Sequence, residues 1–114
     1  MNFRSFAINL QCGPTIEHHD DIAFHFNVRF DGYCLVMNHY YGRSWWQEER
    51  DESRLPIKEG ESFEAVILCR LNSIKVSINN THFYEFKHRL PYQRITYITI
   101  VEDVILKSIS FEDA

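Results

Sequence analysis

The chain has 114 residues, 45% hydrophobic and 15% aromatic, enough apolar material for one packed domain and too little length for two. Its formal charge of −4 argues against nucleic acid as a partner, and its 4 Gly and 3 Pro exclude low-complexity or disordered material. No apolar run reaches the length of a membrane span and the opening MNFRSFAINLQ lacks a secretory signal pattern, so a cytosolic protein is expected. Its Cys12, Cys34 and Cys69 are then expected to be free thiols.

Period-two alternation dominates the chain. Phe6, Ile8 and Leu10 alternate with Ala7, Asn9 and Gln11, predicting a first strand over residues 3–11. The EHHDD stretch at residues 17–21 mixes histidine with carboxylate, but adjacent residues on a turn rarely converge on one ion, and no metal site is expected. Residues 22–30 alternate without a break. Asp31-Gly32 then gives a strong hairpin signal, returning the chain as a strand over 33–38. HYYGRSWWQEER follows as a Gly-containing loop leading into a short polar strand.

Beyond Pro56 and Gly60, a strand is expected over 63–70. Another has Ile74, Val76 and Ile78 alternating with Lys75, Ser77 and Asn79, and Asn79-Asn80 turns it into HFYEF. Residues 95–101 and 104–111 complete the pattern as a pair of core strands around Glu102-Asp103. About eight or nine short strands with turn signals between them predict a single all-β domain, an antiparallel sandwich or barrel.

One strand carries unusual chemistry. In HFNVRF, His25, Asn27 and Arg29 share a face, with Phe26, Val28 and Phe30 on the other. Asn38 lies near the end of the next strand, and Glu48 and Arg50, two apart, share a face of the polar strand. Trp45 and Trp46 stand beside them in a loop where solubility would not place a Trp pair. Together they offer guanidinium donors, amides, one carboxylate and an indole face. No nucleophile is paired with a base, and Glu49 points away from Glu48, so neither covalent hydrolysis nor two-carboxylate glycoside chemistry is equipped. The set suits a neutral, hydroxyl-rich ligand with one apolar face, such as a sugar.

These residues resemble the galectins, the β-galactoside-binding lectins. The family pattern of His-x-Asn-Pro-Arg, an Asn on the next strand, and Trp-x-x-Glu-x-Arg is similar to His25-Phe26-Asn27-Val28-Arg29, Asn38, and Trp45-Trp46-Gln47-Glu48-Glu49-Arg50. DIAFHF, LPIKEGESFEAVI and INNTHFYEFKHRLP also resemble the family's core strands. The resemblance implies a galectin-type jelly roll, a concanavalin A-like antiparallel β-sandwich, with no enzymatic activity, cofactor or metal. It implies that His25, Asn27 and Arg29 bind the axial 4-hydroxyl of galactose. Asn38 and Glu48 would hold the 6-hydroxyl, Trp45 would stack on the ring, and Glu48 with Arg50 would reach the second sugar. Galactose-containing glycans and glycoproteins are the implied partners, with export from the cytosol independent of a signal peptide.

Three features depart from that pattern. Val28 stands for the family's proline and restores a strand N–H. Trp46 stands for the glycine after the stacking Trp, and strict alternation would place it, rather than Trp45, with Glu48 and Arg50. The family register instead selects Trp45, with irregular backbone after it. About two strands that usually precede residues 3–11 are absent, which would expose a sheet edge and favour self-association or a homodimer. The competing expectation is a galectin-fold structural or protein-interaction module with weak or lost sugar binding; an enzyme would have only His25 and Glu48 to work with.

Overall fold

Alternating apolar residues pair into ladders along most of the chain. The computed structural model describes residues 4–15, 20–30, 32, 34–52, 55, 57–102 and 104–111. Among these, nine strands form: β1 Ser5–Gln11, β2 Ile22–Arg29, β3 Cys34–Tyr41, β4 Ser44–Trp45, β5 Glu49–Asp51, β6 Ala65–Cys69, β7 Ser73–Ile78, β8 Thr81–Lys87 and β9 Tyr97–Glu102. One sheet runs β4-β3-β2-β1-β9, with β5 also pairing β3; the other runs β6-β7-β8. Every pairing is antiparallel, as predicted.

The two sheets bury their apolar faces against each other. Phe6, Ile8 and Leu10 of β1, Phe24, Phe26 and Val28 of β2, and Leu35 and Met37 of β3 meet Ile74, Val76 and Ile78 of β7 and Phe86 of β8. Phe24 and Phe86 join the layers at 4.8 Å between ring centroids. Each such fully buried side chain stabilises the fold by about 1.5–3 kcal/mol before conformational entropy is counted. With the core on one side of β1, β2 and β3, the period of two sends their alternate side chains to the outer face, where the polar residues collect.

Two hairpins show how the turns are encoded. Asn79 and Asn80 adopt φ of 50° and 66° between the paired Ile78 and Thr81, the mirror-image two-residue turn that asparagine tolerates. Gly42 and Arg43 do the same at φ of 61° and 63° between Tyr41 and Ser44. Here the structure corrects the expectation of a loop: β3 continues through Tyr40 and Tyr41, and Ser44–Trp45 returns as β4. A left-handed arginine was the obscuring feature, since non-glycine residues rarely adopt that conformation.

A second correction concerns residues 104–111, expected as a core strand. They form no strand, and Ile105, Leu106, Ile109 and Phe111 are exposed. The alternation is a local signal, whereas a strand needs a neighbour to satisfy its backbone, and β9 pairs β1 instead. Asp31 of the predicted hairpin turn and Glu17, His18 and His19 of EHHDD lie outside the described residues. Asp20 accepts from the Thr15 N–H and Asp21 pairs with Arg94 at 2.7 Å. Among the described residues, no group of three potential metal ligands assembles.

Candidate functional site

The cross-strand register brings the signature residues onto one face. His25 lies opposite Asn38 on β3 and Asn9 on β1; Asn27 lies opposite Val36 and Ala7. Arg50 on β5 faces Val36, and Trp45 on β4 faces Tyr40. Side chains directly opposite in a ladder share a face, so five strands contribute to one polar surface.

Hydrogen bonds fix that surface from below. His25 Nδ1 lies 2.6 Å from Asn9 Oδ1, and Asn9 Nδ2 donates to Thr99 Oγ1 at 3.3 Å. The Thr99 hydroxyl donates in turn to Gln11 Oε1 at 2.8 Å. Because the Asn9 oxygen can only accept, the proton of this contact sits on His25 Nδ1. Asn27 is buried; its Nδ2 donates to the Phe6 carbonyl at 2.8 Å, and its Oδ1 accepts from Arg29 Nε at 2.7 Å.

The Arg29 guanidinium also approaches Glu48 at 3.6 Å, while Glu48 Oε1 accepts from Arg50 Nε and Nη2 at 2.9 Å each. Glu48 thus stands between two guanidinium groups and holds both in place, as charge-assisted contacts do when they are shared. That hydrogen bond is the principal reason the Arg50 guanidinium lies above its ordinary range.

The two tryptophans part company. Trp45 packs on His25 at 4.6 Å between ring centroids and meets Tyr40 edge-on at 5.0 Å, keeping an indole face at the polar surface. Trp46 stacks on His39 at 5.5 Å and donates its Nε1–H to the Tyr41 carbonyl at 3.2 Å. Since His39 alternates with Asn38, Trp46 belongs to the reverse side of the sheet. Strict alternation from Glu48 is broken because residues 46–48 between β4 and β5 are not in strand conformation.

Adjoining the face at Glu48, a cleft of about 340 Å³ is lined by His39, Trp46, Gln47, Glu48, Glu49 and Arg89. Arg89 donates to Glu49 Oε2 at 2.7 Å and lies 3.0 Å from both Asn38 Oδ1 and His39 Nδ1. Asn38 is only 3% exposed; its Nδ2 donates to the Trp46 carbonyl at 2.9 Å and its Oδ1 also accepts from the His39 N–H. Burial, aided by the Arg89 charge, pushes the His39 imidazole below its ordinary pKa. Tyr84 hydrogen-bonds Glu49, and burial with that bond drives its phenol well above the usual range. Among the described residues, no buried side-chain polar atom lacks a partner.

The structure therefore brings together His25, Asn27, Arg29, Asn38, Trp45, Glu48 and Arg50, with Asn38 on the same face as His25 but buried. Reading the sequence missed Asn9, Thr99 and Arg89. Asn9 could have been found from alternation in β1; Arg89 arrives from beyond β8 and carried no local signal.

A family model for galactoside-binding lectins matches residues 1–111. The chain is 40% identical to galectin-4 of Bos taurus over 111 residues, 96% of this chain and 32% of that protein. It is 34% identical to human galectin-7 over 108 residues, 95% of this chain and 77% of that one. Among solved structures, a human galectin-16 double variant superposes with a TM-score of 0.81 at 31% identity, covering 90% of this chain and 71% of that one. A galectin from Caenorhabditis elegans superposes with a TM-score of 0.73 at 30% identity, covering 86% and 64%. These neighbours share the jelly-roll β-sandwich. The chain spans about a third of the length of the galectin-4 relatives it matches, 32% and 33% in cattle and rat. With the fold, the register of the polar face and these matches in agreement, this chain belongs to the galectins, the galactoside-binding lectins, a family of carbohydrate-binding proteins rather than enzymes.

Proposed function

We propose that this protein is a non-enzymatic lectin that binds β-galactosides of the lactose and N-acetyllactosamine type on the outer face of the six-stranded sheet. The observation that carries this reading is the network in which Asn9 orients His25, Asn27 orients Arg29, and Glu48 holds Arg29 and Arg50. Donors and acceptors held in advance lose little freedom on meeting a ligand, which matters for a hydroxyl-rich molecule that water already solvates. His25 Nε2, the Asn27 amide and the Arg29 guanidinium take the axial 4-hydroxyl. Trp45 supplies the apolar wall, Glu48 takes the 6-hydroxyl, and Glu48 with Arg50 reaches the second sugar. An equatorial 4-hydroxyl would leave those groups unpaired, so galactose is preferred over glucose.

Asn38 supports the second reading, a galectin-fold interaction module with weakened sugar binding. Its carbonyl oxygen is engaged twice within the protein, and its amide donates to Trp46. It therefore offers little to a 6-hydroxyl and serves chiefly to fix the backbone that presents Trp45 and Glu48. Galactose-containing glycoproteins are the proposed partners. A lactose titration followed by tryptophan fluorescence, with sucrose as control and Arg29→Ala alongside, separates the two readings. Saturation by lactose that is lost in the variant supports the lectin; a folded protein that responds to neither sugar supports the module.

A further inference from the structure

The cleft lined by Trp46, Gln47, Glu48 and Arg89 borders the place proposed for the galactose 6-hydroxyl. Residues 46–48 link β4 to β5 outside strand conformation, at an edge of the six-stranded sheet. Both side chains that the family resemblance assigns to the 6-hydroxyl adjoin this cleft. Glu48 lines it directly. Asn38 is bonded to two of its walls, the Arg89 guanidinium at 3.0 Å and the Trp46 carbonyl at 2.9 Å. Since the Asn38 oxygen is already given to Arg89 and to the His39 N–H, Asn38 does not require the 6-position to carry a free hydroxyl.

The lining repeats the chemistry of the polar face. Trp46 is 55% exposed even with His39 stacked on it, so much of its ring meets solvent. The exposed Gln47 side chain has no hydrogen-bond partner among the described residues. Glu48 gives Oε1 to Arg50 at 2.9 Å and keeps Oε2, 3.6 Å from Arg29, beyond ordinary hydrogen-bond distance. An amide, a carboxylate oxygen and an indole face together fit a second sugar ring. Charges at the cleft are matched within the protein, Glu49 to Arg89 at 2.7 Å and Glu48 to Arg50, so what is left to offer suits a neutral group. Its volume of about 340 Å³ lies within the range of about 300–1,000 Å³ usual for small-molecule sites.

We propose that this cleft is a branch subsite, which takes a neutral sugar linked to the 6-oxygen of a galactose seated on Trp45. It rests on the galactoside site proposed above and extends its ligands to 6-branched galactosides. Trp46 stacks against a C–H face of the branch sugar, and Gln47 exchanges hydrogen bonds with its hydroxyls. Glu48 Oε2 accepts from one of those hydroxyls in place of the one consumed by the linkage. An anionic substituent at the same position, such as a sulfate, meets the carboxylates of Glu48 and Glu49, while the Arg89 guanidinium is already paired. Trp46 stands where the family pattern has glycine, so the indole wall belongs to this chain.

The test titrates the whole chain by calorimetry with lactose, with lactose carrying a β-linked galactose on its galactose 6-oxygen, and with lactose sulfated at that oxygen. The wild type is expected to bind the branched trisaccharide at least as tightly as lactose, and the sulfated ligand about tenfold more weakly. Trp46→Gly should weaken trisaccharide binding about tenfold while lactose stays within about twofold. Gln47→Ala, at an exposed position without a partner to lose, should cost the trisaccharide about threefold and leave lactose unchanged. In nitrogen-15 spectra the Trp46 indole signal should move with the trisaccharide and stay still with lactose. A wild type that binds lactose but rejects the trisaccharide overturns the branch subsite alone. So does a preference for the sulfated ligand, or trisaccharide binding that neither moves Trp46 nor responds to the two variants. A folded wild type that binds none of the three overturns the galactoside site and the branch subsite with it.

Discussion

The outer face of the six-stranded sheet and the outer side of β6 have opposite characters. On the first, polar groups are sunk among strands and every buried one is satisfied within the described residues: Asn9, Asn27 and Asn38 are all buried, yet hydrogen-bonded. On the second, Val66, Leu68 and the nearby Leu71 meet solvent. A polar surface held in advance suits a small polar ligand, because the protein bears the cost of ordering when it folds. The two surfaces differ in kind, and changes to one should leave the other intact.

The largest expected effect is at Arg29. Arg29→Ala removes the donor to Asn27 and the cation beside Glu48, and lactose affinity should fall about a hundredfold or more. Trp45→Ala comes next, with affinity down roughly tenfold or more by calorimetry, whereas Trp46→Ala should alter stability more than affinity. Arg89→Ala leaves Glu49 and the Asn38 oxygen short of a partner and should cost about 1–3 kcal/mol of unfolding free energy, read from denaturant curves. Asn9→Ala removes the partner of His25 Nδ1 and should weaken lactose binding about fivefold.

The smallest effect concerns His39. Its folded-state pKa lies below the unfolded value, so the unfolded chain binds more protons. The contribution is complete above the ordinary imidazole pKa of about 6.5 and is lost as pH falls through the folded value. Melting temperature measured from pH 7.5 to 5.5 should therefore decline less steeply in His39→Gln than in wild type. A polar face whose affinity followed that same pH course would tie the two sides of β3 more closely than the account expects.

Much of this molecule was legible from short-range pattern. The unbroken alternation of residues 22–30 set both the core face and the polar face of β2, and Asn79-Asn80 announced its turn. The seven signature residues were legible through the family resemblance, since alternation alone favoured Trp46 over Trp45, but their depth was not. Asn38 is buried and bonded by Arg89, which is 51 positions away in sequence and reaches it at 3.0 Å. The split between Trp45 and Trp46 depends on irregular backbone at residues 46–48, which alternation alone cannot anticipate. Residues 104–111 show the reverse failure: a strand-like pattern without a ladder partner does not make a strand.

The most direct test of the central claim is a lactose titration of the uniformly nitrogen-15-labelled protein, following its two indole N–H signals. The Trp45 signal is expected to move and saturate with lactose. The Trp46 signal, held on the Tyr41 carbonyl, and the amides of Val66 and Leu68 should stay in place. Movement of Trp46 or β6 in place of Trp45, or no movement at all in the folded protein, would contradict a galactoside site on the six-stranded sheet.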